Sequence, residues 1–295
     1  MALRLHRWSL GAIAALSLLF TVLCGWLAWD VASTAATCAT ATASARCAEL
    51  EASGTVRSQD VVKVLGALGF LPFISGSVLG VPLVAREIEQ RTASLAWPLA
   101  GSRVRWLARI GLPVAVLGAL LVAIPAAAGF VLVASYAPGV DPARTFEHFG
   151  MFGPAIVVRY VAVTSIALFV GTWLGRTLPG LIVAAAAAVV VYFALSSTYG
   201  LWLPAVPLPP VEKPGEDIGR LYVSQMVRMP DGRLIPIDDA LAIDPGLDDI
   251  TESVEFGLPP ERAPEVALRE DATLVGGSIL IVVATIVRLR RRPPY

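Results

Sequence analysis

The chain has 295 residues, 56% of them hydrophobic and 16% charged, with a mean hydropathy of +0.71. One soluble core of this length does not bury so much apolar surface, so the composition places the chain in lipid. Basic and acidic residues balance at 23 each, which excludes the broad basic field of a nucleic-acid binder; three cysteines and two histidines exclude a Cys/His zinc site.

The first apolar run, Trp8 to Trp29, is about 33 Å long as a helix and matches a hydrocarbon core of about 30 Å. Trp8, Trp26 and Trp29 mark its ends, where amphipathic rings favour the headgroup layer. The run is too long for an ordinary signal-peptide core, so an anchoring span is expected. Cys24 lies inside it as a small apolar residue. Cys38 and Cys47 follow in one polar segment, where a disulfide in an oxidising compartment and two free thiols are both open readings.

Five further runs follow, at about 61–84, 110–136, 151–174, 179–199 and 274–287. The last is short and leans on the arginines that follow it, Arg288 and Arg290 to Arg292, to reach the interface. The prolines inside the runs, such as Pro72, Pro113 and Pro125, are tolerated where neighbouring helices satisfy the freed backbone groups. With the amino terminus in the cytoplasm, the inside segments collect Arg4, Arg7, Arg86, Arg91, Arg103, Arg105, Arg109, Arg176 and the terminal arginines. The positive-inside bias therefore sets both termini inside. The expected fold is an all-α polytopic membrane protein of six transmembrane helices: spans one to five within 1–203, an extracytoplasmic insert at 204–271, and span six with a basic tail at 272–295.

Residues 86–109 form the one inside segment longer than a turn. On a helical wheel, residues 86–97 place Ile88, Thr92, Leu95 and Ala96 on one arc and Arg86, Glu87, Gln90, Arg91 and Ser94 opposite. This predicts an amphipathic cytosolic helix, with Pro98 and Gly101 ending it before span three. Periodicity alone leaves a solvated linker helix and a docking element equally open.

Within the runs, Arg159 of span four admits two readings, snorkelling to the outer interface or facing a translocation path. Ser75 and Ser77 of span two, with Thr164 and Ser165 of span four, suit helix packing better than cargo binding, though both remain open. The insert holds eleven of the 22 prolines and 15 acidic residues against six basic ones. Two strand-like stretches, 221–228 and 233–237, flank Met229-Pro-Asp-Gly232, a hairpin signal. Its acidic set, Asp238, Asp239, Asp244, Asp248, Asp249 and Glu252, lacks the spacing of a calcium loop and reads as solvated surface.

The stretch Gly80-Val-Pro-Leu-Val-Ala-Arg86-Glu87-Ile-Glu89-Gln-Arg-Thr92, then Trp97, then Ser102-Arg103-Val-Arg105-Trp106-Leu107, resembles the ABC type-2 transporter permeases, the actinobacterial ones in particular. There, span two ends in Gly-x-Pro-Leu-x-Ala-Arg-Glu-x-Glu-x-x-Thr, a Trp follows, and span three opens with Ser/Thr-Arg-x-x-Trp-Leu. Arg91 stands where those proteins usually carry Gly, which favours a longer helix here. The resemblance implies an exporter permease in a bacterial plasma membrane. Residues 86–97 would be a coupling helix, with Arg86, Glu87, Ile88, Glu89, Arg91, Thr92, Leu95 and Trp97 meeting a separate ATP-binding subunit. That partner would carry ATP and Mg, since this chain has no Gly-x-x-x-x-Gly-Lys-Ser/Thr loop and no catalytic constellation in its spans. A second permease copy would complete the path, for which Arg159, Ser75, Ser77 and Thr164 are the candidate lining residues. The contrasting expectation is a non-transport membrane protein, an immunity or sensor component that binds through its insert.

Overall fold

The computed structural model describes residues 7–40, 45–92, 101–136, 140–197, 203–210, 219–229, 231–243 and 252–291, without the side chains of 37–40, 45–58, 196–197, 243 and 252. The side chains of Cys38 and Cys47, and residues Leu95 and Trp97, lie outside that set.

Six helical stretches are long and apolar enough to cross a membrane. Span one is α1 (Arg7–Thr40). Span two is α2 (Ala45–Gly80) continued by α3 (Pro82–Glu89). Spans three, four and five are α4 (Arg103–Tyr136), α5 (Pro154–Leu174) and α6 (Thr177–Ser197). Span six lies in the last helix, here called α8 (Ala263–Arg291), which begins well before the expected run at 274 and so has ample length to cross.

The chain divides into two compact units. The first holds residues 1–138, 150–194 and 271–295, and with them the spans. Span one packs mainly along span three and span two along span four. Glycines set the second contact. A Cβ at Gly80 would stand 2.6 Å from that of Ala167, and one at Gly171 would stand 2.6 Å from the carbonyl oxygen of Val81. Small residues let backbones approach this closely where lipid supplies no hydrophobic drive between helices. Burial is uneven. In spans two and four, 67% of the apolar window is buried, against 22%, 22% and 17% in spans one, five and six.

The second unit holds residues 139–149 and 195–270, so it takes in a segment that the sequence reading assigned to the span region. The physical reason is packing: Phe146 is buried with Leu203, Leu258 and Val266 in that unit's core, and its N–H donates to the Gly219 carbonyl at 2.9 Å. Four antiparallel strands, β1 (Val206–Pro207), β2 (Leu221–Arg228), β3 (Leu234–Pro236) and β4 (Glu252–Leu258), form a sheet in the order β1-β4-β2-β3. The turn joining β2 to β3 is tied by Asp231, which accepts from the Arg233 N–H at 3.0 Å and from its Nε at 2.6 Å. Those bonds hold the Asp231 carboxyl below its ordinary range. Asp238 and Asp239 open a short helix, α7 (Ile237–Ile243). Asp244, Asp248, Asp249 and the Glu252 side chain lie outside the described residues.

Gly171→Leu is expected to lower stability by about 1–3 kcal/mol, because it overpacks a backbone contact. The unfolding midpoint in detergent measures this. Gly276→Ala, whose added Cβ meets nothing within 4 Å, should leave the midpoint unchanged or raise it.

Candidate coupling surface

Span two leaves the bundle without a loop. Val81 keeps right-handed helical angles (φ −63°, ψ −52°). Its N–H donates to Ser77 at 3.3 Å and its carbonyl accepts from Ala85 at 3.1 Å, so the ladder carries on past Pro82, which has no N–H to give. Leu83, Val84 and Ala85 are buried, which seats α3 in the bundle. Beyond them Arg86 is exposed, while Glu87 and Ile88 are half-buried, Ile88 against the main apolar core.

The helix expected over 86–97 ends, within the described residues, at Glu89. Gln90 caps it with its N–H on the Arg86 carbonyl (2.9 Å), the Arg91 N–H reaches Ile88 (3.1 Å), and Arg91 turns left-handed at φ 58°. Arg91 thus takes the conformation that a glycine adopts freely, at a steric cost of about 1–2 kcal/mol. The turn supplies compensation. The Thr92 hydroxyl donates to both the Glu87 carboxylate and its main-chain carbonyl. Glu87 and Thr92 are therefore engaged with each other, and Arg86, Gln90 and Arg91 are exposed at the tip.

Glu89 turns the other way. Its Oε2 accepts the Thr177 N–H at 3.0 Å, at the first residue of span five. After the undescribed residues 93–100, Ser102 caps span three by accepting the Arg105 N–H at 3.1 Å. Arg103 then reaches the far end of span six, donating through Nη1 to the Leu289 carbonyl at 2.7 Å and to that of Arg290 at 3.4 Å. The segment between spans two and three, the Gly175–Arg176 joint between spans four and five, and the end of span six therefore meet at one end of the bundle. Sequence reading counted Arg103 toward charge asymmetry and toward the motif that opens span three, and missed its reach to span six. Its partner lies 186 residues away, and that of Glu89 lies 88 away, so no local pattern links them.

The four candidate path residues separate. Arg159 is buried and lines neither the groove beside Thr164 nor the one beside Ser77. It is 4% exposed and donates to the Gly150 carbonyl at 2.8 Å, in a space that a Cβ at Gly150 would fill. It closes the bend at Gly150–Gly153, where both glycines have positive φ. Ser75 is fully buried and returns its hydroxyl to the Leu71 carbonyl at 2.6 Å, one turn back. Thr164 does the same to Tyr160 at 2.7 Å, beside an apolar groove of about 450 Å3 shared with spans three and six. Ser77 alone of the four has a buried hydroxyl with no partner, and it lines an apolar groove of about 470 Å3 between spans two and five. Phe70, Phe73 and Tyr192 wall that groove, with Tyr192 stacked on Phe70 at 4.7 Å.

Six helices long and apolar enough to cross a membrane, with a glycine-close contact between spans two and four, define a multi-pass membrane protein. Residues 10–199 match the family described as ABC-2 membrane transporter related, and the chain belongs to that family. Membership implies a membrane permease that works with an ABC ATP-binding subunit. The match covers spans one to five and stops before the strands and span six. No curated protein and no solved structure matches the chain.

Arg91→Gly is expected to relieve about 1 kcal/mol of backbone strain in the turn, slowing amide exchange at residues 90–92. Arg91→Val, β-branched at a positive φ, should speed it.

Proposed function

We propose that this chain is the membrane-spanning half of an ATP-driven exporter in a bacterial plasma membrane, with both termini in the cytoplasm and the strand-bearing unit outside. A separate ATP-binding subunit carries ATP and Mg, and this chain performs no hydrolysis itself. The observation that carries the reading is the stiff continuation of span two through Pro82 into an exposed basic tip, Arg86, Gln90 and Arg91. A partner that moves this tip moves a transmembrane helix directly, because the helical ladder on either side of Val81 is unbroken. Family membership favours this reading over a sensor or immunity component.

A second copy completes the path. Spans one, five and six leave most of their apolar windows exposed, more surface than a single bundle needs to show to lipid. The groove between spans two and five, with the Ser77 hydroxyl among aromatic rings, is the favoured path wall.

Purification in mild detergent tests the coupling. The ATP-binding subunit should co-isolate, and Arg86→Glu with Arg91→Glu should reduce its recovery roughly tenfold or more, as reversal of interface charges does. Undiminished recovery with the double variant would overturn the assignment of the tip.

A further inference from the structure

Both ends of the segment between spans two and three grip other spans, and each grip has the sign that a helix terminus calls for. Glu89 brings an acid to the N-terminus of span five, where unpaired N–H groups concentrate partial positive charge. Arg103 brings a base to the last turn of span six, where free carbonyls concentrate partial negative charge. The two spans so held are among the least buried of the six. Span five also meets span two through Ala184 beside Val81 and through Tyr192 against Phe70 and Phe73, and span six meets the core through Leu289.

We propose that Glu89 and Arg103 are positioning residues that make this segment a yoke: they tie the cytosolic ends of spans five and six to the surface the ATP-binding subunit moves. The inference rests on the coupling reading and changes the part Glu89 plays in it. Glu89 is engaged with the first residue of span five, and docking falls to the exposed Arg86, Gln90 and Arg91. Force at the tip then reaches span two through the helix backbone, span five through Glu89 and span six through Arg103. These are three separable routes.

The test uses the full permease with its ATP-binding subunit in lipid nanodiscs, with Cys24, Cys38 and Cys47 replaced by alanine. Spin labels are placed at the exposed positions Trp8 and Leu178 for span five, and Trp8 and Val287 for span six. Trapping with ATP and vanadate is expected to shift both distances. Glu89→Ala should abolish the span-five shift alone and Arg103→Met the span-six shift alone, with recovery of the ATP-binding subunit unchanged. Glu89→Gln, which keeps an acceptor, and Arg103→Lys, which keeps the charge, should restore part of each shift. Wild-type shifts in both variants, or loss of both shifts in each, would overturn the yoke. If no ATP-binding subunit co-isolates, the coupling reading fails on its own, and nucleotide-free distances still decide the clamps. Broadening confined to the matching span upholds them; unchanged widths in both variants overturn them.

Discussion

Val81 carries the backbone of span two past a proline while Gly171 of span four lies so close that a Cβ there would stand 2.6 Å from the Val81 carbonyl oxygen. Most of the described bundle depends on that seat. It fixes where α3 points, which sets how far Arg86 to Thr92 project. It brings Glu89 to span five, and it leaves Ala85, Ala167 and Val170 to fill the space around it. A larger residue at Gly80 or Gly171 would push spans two and four apart and move the tip with them.

Polar side chains inside the spans are mostly spent on the chain's own backbone. Ser75, Thr164, Ser165, Ser278 and Thr285 each return a hydroxyl to a carbonyl four residues back. Lipid offers no hydrogen bonds, and an unsatisfied group costs several kcal/mol in it. The same economy explains Arg159. A guanidinium five residues inside span four is accommodated because the Gly150–Gly153 bend brings a carbonyl to it and leaves room that a side chain would take. Ser77 departs from this pattern, and its groove is correspondingly the more interesting one.

Much of this was legible in advance. Hydropathy located all six spans, because crossing a bilayer demands a long apolar run whatever the tertiary structure. The motif from Gly80 to Leu107 by itself points to the family. The helix expected over 86–97 stops at Glu89 within the described residues, and 93–97 lie outside them. Periodicity reports which face is apolar but not that Thr92 and Glu87 together hold Arg91 left-handed. Residues 139–149 were misplaced for a related reason: their short polar stretch gives no sign that Phe146 fills a core built mainly from residues 60 to 120 positions later.

The sequence by itself determined that this chain lives in a membrane, crosses it six times and carries a charged segment between spans two and three. Each of these follows from solvation, which acts residue by residue. Tertiary structure alone decided which charges reach a distant helix end. Glu89 and Arg103 lie in the same charged stretch as Arg86 and Arg91, yet each is committed to a helix end far along the chain. A helix terminus is a partner only when the fold delivers it, and the distance along the chain hides that from any local reading.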